Sequence, residues 1–305
     1  MIDFVKSSLA TITLFLAYML LMFAGPLAGV LVPFPVLFYS LKNGRGVGIA
    51  TVALVTVGLL FLTPAAALFY LFQCGIFALL LAEFLSRGKG AVKSITYTLL
   101  INMLAVSGLA LSYGFWQGVD VNGLVVKGIR AATNQTALFY QQNGLKGEDL
   151  EALRSILAQT AEFTAIAYPA LLLILLGAVA CLNLFLLKKA SKRFLTPLVF
   201  DDFSRFKNPD QMIWVLIAAG FALMLNDVLV TKVALNILLV TLSLYFIQGL
   251  SITSYFFKKY PVPGFLKILF YLMLVIQPYL TVLVAAVGVI DLWCGFRTPK
   301  IRENL

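Results

Sequence analysis

Long, almost uncharged apolar stretches follow one another from Leu9 nearly to the end of the chain. A helix needs roughly 17 to 25 mainly apolar residues to cross a hydrocarbon core about 30 Å thick, and these stretches supply that length. In lipid only helices and closed barrels satisfy their own backbone hydrogen bonds, and the stretches lack the alternation of a barrel strand. The sequence therefore predicts an all-α, polytopic transmembrane helical bundle.

Charged residues and Pro or Gly breaks separate the apolar stretches and set the number of spans. We expect nine, at 9–24, 27–41, 46–62, 64–86, 94–115, 164–187, 211–229, 233–256 and 265–290. Gly25-Pro26, between the first two, marks either a tight hairpin or a kink in one long helix, because proline removes a backbone donor. Eight spans is therefore the alternative.

The distribution of charge favours nine spans with a cytoplasmic N-terminus. Short cytoplasmic loops carry an excess of Lys and Arg. In this orientation fifteen of the 23 Lys and Arg and five of the 13 Asp and Glu fall on the cytoplasmic side, which then carries the whole net charge of +10. An eight-span chain with its N-terminus outside moves only Asp3 and Lys6 and fits nearly as well.

The spans and the segments between them predict three regions. Residues 1–187 form a six-span membrane domain with an external insertion at 116–163, residues 188–210 a basic cytoplasmic loop, and residues 211–305 a three-span C-terminal region. The loop is suited to anionic headgroups, although an ordinary positive-inside loop explains it as well.

Within the insertion, apolar residues recur at helical spacing and predict two amphipathic helices lying on the membrane or capping the spans. These residues are Val121, Leu124, Val125 and Ile129, then Leu150, Leu153, Ile156 and Leu157. A connector with no role of its own is the alternative. In the basic loop, Asn208 is predicted to cap a helix that has Pro209 in its first turn, and the acids Asp201, Asp202 and Asp210 to serve helix ends.

Several kinds of chemistry are excluded by residues that the sequence lacks. It has no histidine, which rules out Ser-His catalysis, HExxH zinc proteolysis and haem ligation by histidine, and it has no P-loop. The three cysteines, Cys74, Cys181 and Cys294, are too scattered for a metal site. We therefore predict no enzymatic activity, no catalytic residue, no metal and no cofactor.

Ionisable side chains are almost missing from the centres of the predicted spans, where burying a charge is costly. Glu83, Asp227, Lys232 and Asp291 all fall near span ends, and Glu83 can pair with Arg87 one helical turn on. A proton-coupled pump with a buried carboxylate relay is therefore not expected.

Neutral polar side chains remain inside the predicted spans and are the candidates for binding a ligand. They are Gln73, Asn102, Asn226, Tyr245, Gln248 and Gln277. Side chains of this kind grip a small molecule or hold helices together, and helix contact is the commoner outcome. Pro278 adds a further prospect, since a proline frees a backbone carbonyl that can line a cavity.

Small residues near the first loop predict close helix packing. Ala24, Gly25, Ala28 and Gly29 form two overlapping small-xxx-small patterns, with Pro26 between them. Such patterns let helix backbones approach closely, within one chain or against a partner helix.

The C-terminal third resembles a known family. Its pattern is Ser243-Leu-Tyr-Phe-Ile-Gln-Gly-Leu-Ser-Ile252, Tyr255-Phe256, Pro261, Gln277-Pro278, Gly288-Val-Ile-Asp-Leu-Trp293 and Phe296-Arg297, after Phe203 to Phe206 and Trp214. This pattern is similar to the YybS-like family of predicted bacterial membrane proteins, a domain of unknown function. The resemblance covers most of the chain and implies the bacterial cytoplasmic (inner) membrane; it brings no catalytic residue.

A second resemblance concerns residues 1–187. Six spans with both ends cytoplasmic, and Val32-Pro33-Phe34-Pro35 followed by a glycine-rich turn, resemble the substrate-binding S components of energy-coupling-factor transporters. Those proteins bind vitamins or metal ions and borrow ATPases and a coupling subunit. The three further spans and the external insertion depart from their pattern.

Together these observations predict a non-enzymatic membrane subunit that binds a small molecule and depends on membrane protein partners for energy. The alternative is a structural or assembly factor of the cell envelope that recruits protein or lipid. In both hypotheses the chain contacts membrane lipid, and no nucleic acid is expected as a partner.

Overall fold

The structure, a computed structural model, describes residues 2–20, 25–194 and 202–297. All regular secondary structure in these residues is helical. The predicted all-α class is therefore confirmed for the part of the chain that the structure describes.

Contacts within the chain divide it into two compact units. The first comprises Met1–Leu124 with Leu175–Asp201, and the second comprises Val125–Ile174 with Asp202–Leu305.

The helices of the first unit come in chain order. They are α1 (Ile2–Leu20), α2 (Gly25–Leu31), α3 (Pro33–Asn43), α4 (Arg45–Leu60), α5 (Pro64–Tyr70), a π-helical turn (Leu71–Ile76), α6 (Phe77–Ser86) and α7 (Ala91–Gln117). The start of α5 is capped, since the Thr63 side chain accepts from the Ala66 N–H at 3.2 Å and Pro64 fills the first helical position.

The remaining helices follow. They are α8 (Val121–Gln142), α9 (Glu148–Phe194), a 3₁₀ turn (Phe203–Arg205), α10 (Met212–Ala222), α11 (Val228–Lys259), α12 (Gly264–Ile276) and α13 (Pro278–Cys294). The N-terminal half of α9 belongs to the second unit and its C-terminal half to the first. Asp227 caps α11 by accepting from the Val230 N–H at 2.8 Å.

Four helices among the described residues are long and apolar enough to cross a membrane. They are Pro64–Ser86, Ala91–Gln117, Glu148–Ala190 and Val228–Lys259, and a fifth crossing results if α12 and α13, bent by 109°, count as one. By length and composition the structure thus supports four or five spans, and the predicted nine is not confirmed.

Some predicted spans correspond in the structure to helices that are too short to cross a membrane or are divided in two. The stretch 46–62 is represented by the 16-residue α4, and 211–229 by the 11-residue α10. The stretch 27–41 is divided at Val32 into α2 and α3. Residues 21–24, which end the first predicted span, lie outside the described residues.

Two helices occupy residues 116–163, as the apolar spacing predicts. The first is α8, and the second begins at Glu148. This second helix is not confined to the insertion, since α9 continues as one helix through the predicted span 164–187.

The predicted helix cap at Asn208 is wrong. The helix begins at Met212, after Gln211, and Asn208 is buried instead, with its Nδ2 donating to the Leu244 carbonyl at 2.9 Å. Of the three acids predicted to serve helix ends, Asp202 caps the 3₁₀ turn and Asp210 pairs with Lys207, while Asp201 lies outside the described residues.

Helices α11 and α13 approach each other closely in the second unit. A Cβ added at Gly249 would lie 1.9 Å from the Val284 carbonyl oxygen, and one at Gly288 would lie 2.0 Å from the Tyr245 carbonyl oxygen. Only glycine fits at these two positions, so the backbones themselves are in contact.

Candidate ligand-binding site

Buried polar atoms without a partner are concentrated in the first unit. Eight side-chain oxygens of the described residues are buried and make no hydrogen bond, and seven of them lie in that unit: those of Ser8, Ser40, Tyr70, Gln73, Thr98, Asn102 and Asn183. The eighth, Tyr245, is in the second unit. Because an unpaired polar group away from water costs free energy, such a concentration marks a place where water or a ligand supplies partners.

Four of these residues lie on two adjoining segments, and we name Tyr70, Gln73, Thr98 and Asn102 the buried polar cluster. Tyr70 ends α5 and Gln73 lies in the π-helical turn that follows. Thr98 and Asn102 are one turn apart on α7 and therefore share a face. The two segments meet where the Asn102 Nδ2 donates to the Phe72 carbonyl at 2.8 Å.

The geometry of the cluster determines which atoms are available. Asn102 is 1% exposed, and because its Nδ2 is engaged, its Oδ1 is the atom left without a partner. Thr98 is fully buried with an unpaired hydroxyl, and the Tyr70 ring packs edge-on against Phe15 with centroids 5.5 Å apart. Single π-helical turns inside α-helices occur frequently at functional sites.

The chemistry of the cluster suits an uncharged ligand that donates hydrogen bonds. Two of its unpaired atoms are amide oxygens, which only accept, and two are hydroxyls, which accept or donate. The cluster itself carries no carboxylate, ammonium or guanidinium group. In the described residues no group of three or more Cys, Asp or Glu is placed to hold a metal ion.

The candidates Tyr245 and Gln248 belong to a different environment in the second unit. Gln248 is 1% exposed, its Oε1 accepts from the Asn208 N–H at 2.9 Å, and its Nε2 donates to Asp291 Oδ2 at 3.2 Å. Both ends of this amide are occupied by the protein. Gln248 therefore ties the segment before α10 to α11 and α13.

Arg297, which the sequence analysis used only as part of the family pattern, completes this network. Its Nη2 donates to Asp291 Oδ2 at 2.7 Å, and its Nη1 donates to the Phe206 carbonyl at 2.7 Å and to Ser251 Oγ at 3.0 Å. Asp291, placed from the sequence at a span end where water suffices, is instead 3% exposed and paired. The signal available in the sequence was an aspartate at the end of an apolar stretch, followed six residues later by an arginine.

The other two candidates, Asn226 and Gln277, are exposed and lie apart from both groups. Asn226 is in the turn between α10 and α11, and Gln277 is at the bend between α12 and α13. Pro278 does free a carbonyl there, that of Leu274 four residues earlier. The Thr281 hydroxyl donates to it at 3.3 Å. The six candidates thus fall into two separate pairs, in which Gln73 is half-buried and the other three residues are buried, and two exposed residues.

The small residues predicted for helix packing are described only in part. Ala24 lies outside the described residues, and Gly25 begins α2. Ala28 is buried, and Gly29 is half-buried. Their contact with a partner helix stays a prediction.

Comparison with known proteins gives one family. The model of a family described as a predicted membrane protein (DUF2232) matches residues 9–292. The predicted resemblance to a family of membrane proteins without an assigned function is confirmed by this match. No curated protein and no solved structure matches the chain significantly.

Proposed function

This chain belongs to the DUF2232 family of predicted membrane proteins, and we propose that it is a non-enzymatic subunit that binds a small uncharged molecule in the buried polar cluster. The observation that carries the proposal is the unequal distribution of unpaired buried oxygens between the two units. In the second unit the buried amide of Gln248 is satisfied by the protein, whereas in the first unit Asn102 keeps a free acceptor.

The transport role follows from the resemblance of residues 1–187 to S components. Those proteins bind their substrate in a six-span domain and take energy from partner subunits. The sequence has no P-loop, so transport by this chain would depend on such a partner. The resemblance to the YybS-like family of bacterial membrane proteins and the predicted excess of positive charge on one side support a bacterial cytoplasmic membrane as its location.

The test is the small-molecule content of the purified protein. The full-length protein is purified in detergent, denatured, and the released small molecules are identified by mass spectrometry. Thr98→Val and Asn102→Leu each remove one hydrogen-bonding group from the cluster, and each is expected to lower ligand occupancy about 2- to 10-fold while the protein stays monodisperse.

Two amides outside the cluster supply controls. Gln277→Leu changes an exposed residue and should leave occupancy unchanged. Gln248→Leu should lower the thermal stability without selectively removing the ligand. A wild-type protein that carries neither a small molecule nor a co-purifying partner contradicts the proposal, as does equal loss of ligand in Gln277→Leu.

A second candidate function, recruitment of protein or lipid as an envelope assembly factor, is favoured by α8 and the start of α9. These helices expose large apolar side chains, among them Leu124, Phe139 and Ile156, each about half exposed. Replacing Phe139 and Ile156 by Ser should abolish co-purification of a partner under this hypothesis and leave any bound small molecule in place. Retained partners in that variant speak against it.

A further inference from the structure

A cleft with apolar walls and a charged mouth lies between α3, α4 and α6 in the first unit. Its volume is about 580 Å³. The side chains that line it are mostly apolar, among them Leu41, Ile49, Ile76, Leu79 and Leu80. Arg45, Glu83 and Ser86 lie at its charged end.

Glu83 pairs with two arginines, Arg45 in the lining of the cleft and Arg87 one helical turn beyond Glu83. Its Oε2 lies 2.5 Å from Arg45 Nε, and its Oε1 accepts from Arg87 Nε at 2.5 Å. The pair with Arg87 confirms the expectation from sequence, and the pair with Arg45 is additional. Both guanidinium groups engage the carboxylate through Nε, and among the described residues their terminal nitrogens make no hydrogen bond.

The charges and the exposure of the three residues leave room for an anion. Two guanidinium groups and one carboxylate sum to one positive charge. The side chains of Arg45 and Arg87 are 65% and 56% exposed, whereas that of Glu83 is 19% exposed. Arginine presents its terminal N–H groups in a fork that matches the oxygens of a phosphate.

A buried hydroxyl in the cleft wall gives a second, independent sign of a ligand. Ser40 is 6% exposed, lines the cleft, and its Oγ has no partner. A Cβ at Gly48 would lie 1.8 Å from this oxygen, so the Ser40 hydroxyl sits against α4 in the space that the missing side chain leaves.

We propose that this cleft binds a membrane phospholipid with a net negative charge, its phosphate at Arg45 and Arg87 and part of one acyl chain against the apolar wall. Charge complementarity selects an anion. The apolar wall selects a lipid over a free anion, since a phosphate alone would leave Leu79 and Ile49 in contact with water. On this view Glu83 positions the two arginines and does not touch the ligand.

The experiment uses the delipidated full-length protein in detergent, with lipid adducts counted by native mass spectrometry. The probes are phosphatidylglycerol, a diacylglycerol with the same acyl chains, and inorganic phosphate. Wild type is expected to bind phosphatidylglycerol about tenfold more tightly than diacylglycerol, because only the former makes charge-assisted hydrogen bonds. The double variant Arg45→Gln, Arg87→Gln should bind the two lipids equally.

A further variant tests the contact with the lipid acyl chain, and another serves as a control. Ile49→Trp narrows the cleft at a residue that is 57% exposed, so folding is preserved, and it should weaken phosphatidylglycerol binding severalfold. Arg154→Gln is the matched control. This arginine is exposed and paired with Glu151 in the second unit, and its loss should leave lipid binding unchanged.

Three results overturn the proposal. One is equal affinity of the wild type for both lipids, and another is the same loss of affinity in Arg154→Gln as in the double variant. The third is inorganic phosphate that binds as tightly as phosphatidylglycerol, which shows a site for a free anion.

Discussion

The side-chain amide of Asn236, on α11, hydrogen-bonds to two backbone groups of α9, the Ala170 N–H and the Ile166 carbonyl. Its Oδ1 accepts from the Ala170 N–H at 2.9 Å, and its Nδ2 donates to the Ile166 carbonyl at 2.8 Å. In an unbroken helix these two backbone groups, four residues apart, bond to each other. Pro169 lies between them, and a proline inside a helix crowds the preceding turn. An amide from the neighbouring helix thus supplies partners to the two backbone groups that flank the proline.

Asn236→Leu is expected to lower the free energy of unfolding by about 1–3 kcal/mol, because it leaves one donor and one acceptor of α9 unpaired. Denaturant unfolding in detergent micelles measures the loss. In a Pro169→Ala background the backbone can close the bond from 170 to 166, so the same substitution should cost less there. An equal cost in both backgrounds would show that Asn236 acts independently of the proline.

Gly288→Ala is expected to lower the free energy of unfolding by about 1–3 kcal/mol or to separate α11 from α13, since its Cβ has no room beside the Tyr245 carbonyl. Gly220→Ala, on α10, is the matched control: nothing lies within 4 Å of the added Cβ, and alanine favours a helix by up to about 1 kcal/mol. Thermal unfolding of the two variants is compared with wild type. A similar loss in both would contradict the close-contact explanation.

The fold class and the bounds of two of the four candidate spans could be predicted from the sequence because they depend on composition alone. An apolar stretch bounded by charge and glycine is a local property, and the predicted 64–86 and 94–115 nearly coincide with the helical stretches 64–86 and 91–117. The break at Val32, the shortness of α10 and the continuity of α9 depend on neighbouring helices. No window of residues along the chain contains that information.

The candidate site could be predicted only in part, for a related reason. Polarity identified Gln73 and Asn102, but it also identified Asn226 and Gln277, which are exposed. Sequence shows that a residue is polar and leaves open whether its partners are present. Thr98 was missed because a threonine in an apolar helix ordinarily bonds to its own backbone, as Thr51 does with the Val47 carbonyl at 2.8 Å.

Thr98→Val is expected to raise the free energy of unfolding of the ligand-free protein by up to about 1 kcal/mol. The hydroxyl is fully buried and unpaired, so an apolar group of the same shape removes a desolvation cost. Thr51→Val is the control, since this equally buried hydroxyl bonds to Val47 and Ser7, and its loss should cost about 1 kcal/mol. Both are measured by thermal unfolding. Destabilisation of equal size in the two variants would show that Thr98 has a partner within the protein.

The segment before α10 should lose stability in acid, because Asp202 is held ionised. Lys258 Nζ lies 2.5 Å from Asp202 Oδ1, and the Ser204 hydroxyl and N–H donate to the same carboxylate. These contacts lower the pKa of Asp202 to about 2 from the 3.8 of an unperturbed aspartate, and the hydrogen bond from Lys258 contributes most. A carboxyl whose pKa is depressed in the folded state adds stability above its unfolded pKa, and that stability is lost as the pH falls through the folded value.

The pH dependence is measured as the difference in stability between wild type and Asp202→Asn. It should be constant above about pH 5, decline as the pH falls through about 4, and approach zero only below about pH 2. Its size should stay below about 1 kcal/mol, since nearly half of the Asp202 side chain is exposed and water screens the pair. Hydrogen exchange at the Ser204 amide reports the same loss locally, because the carboxylate caps that turn. Lys258→Met should shift the acid limb of the wild-type curve upward in pH, toward 3.8. A difference between wild type and Asp202→Asn that does not change from pH 5 to pH 2 would show that shape and hydrogen bonding, and not charge, hold this segment.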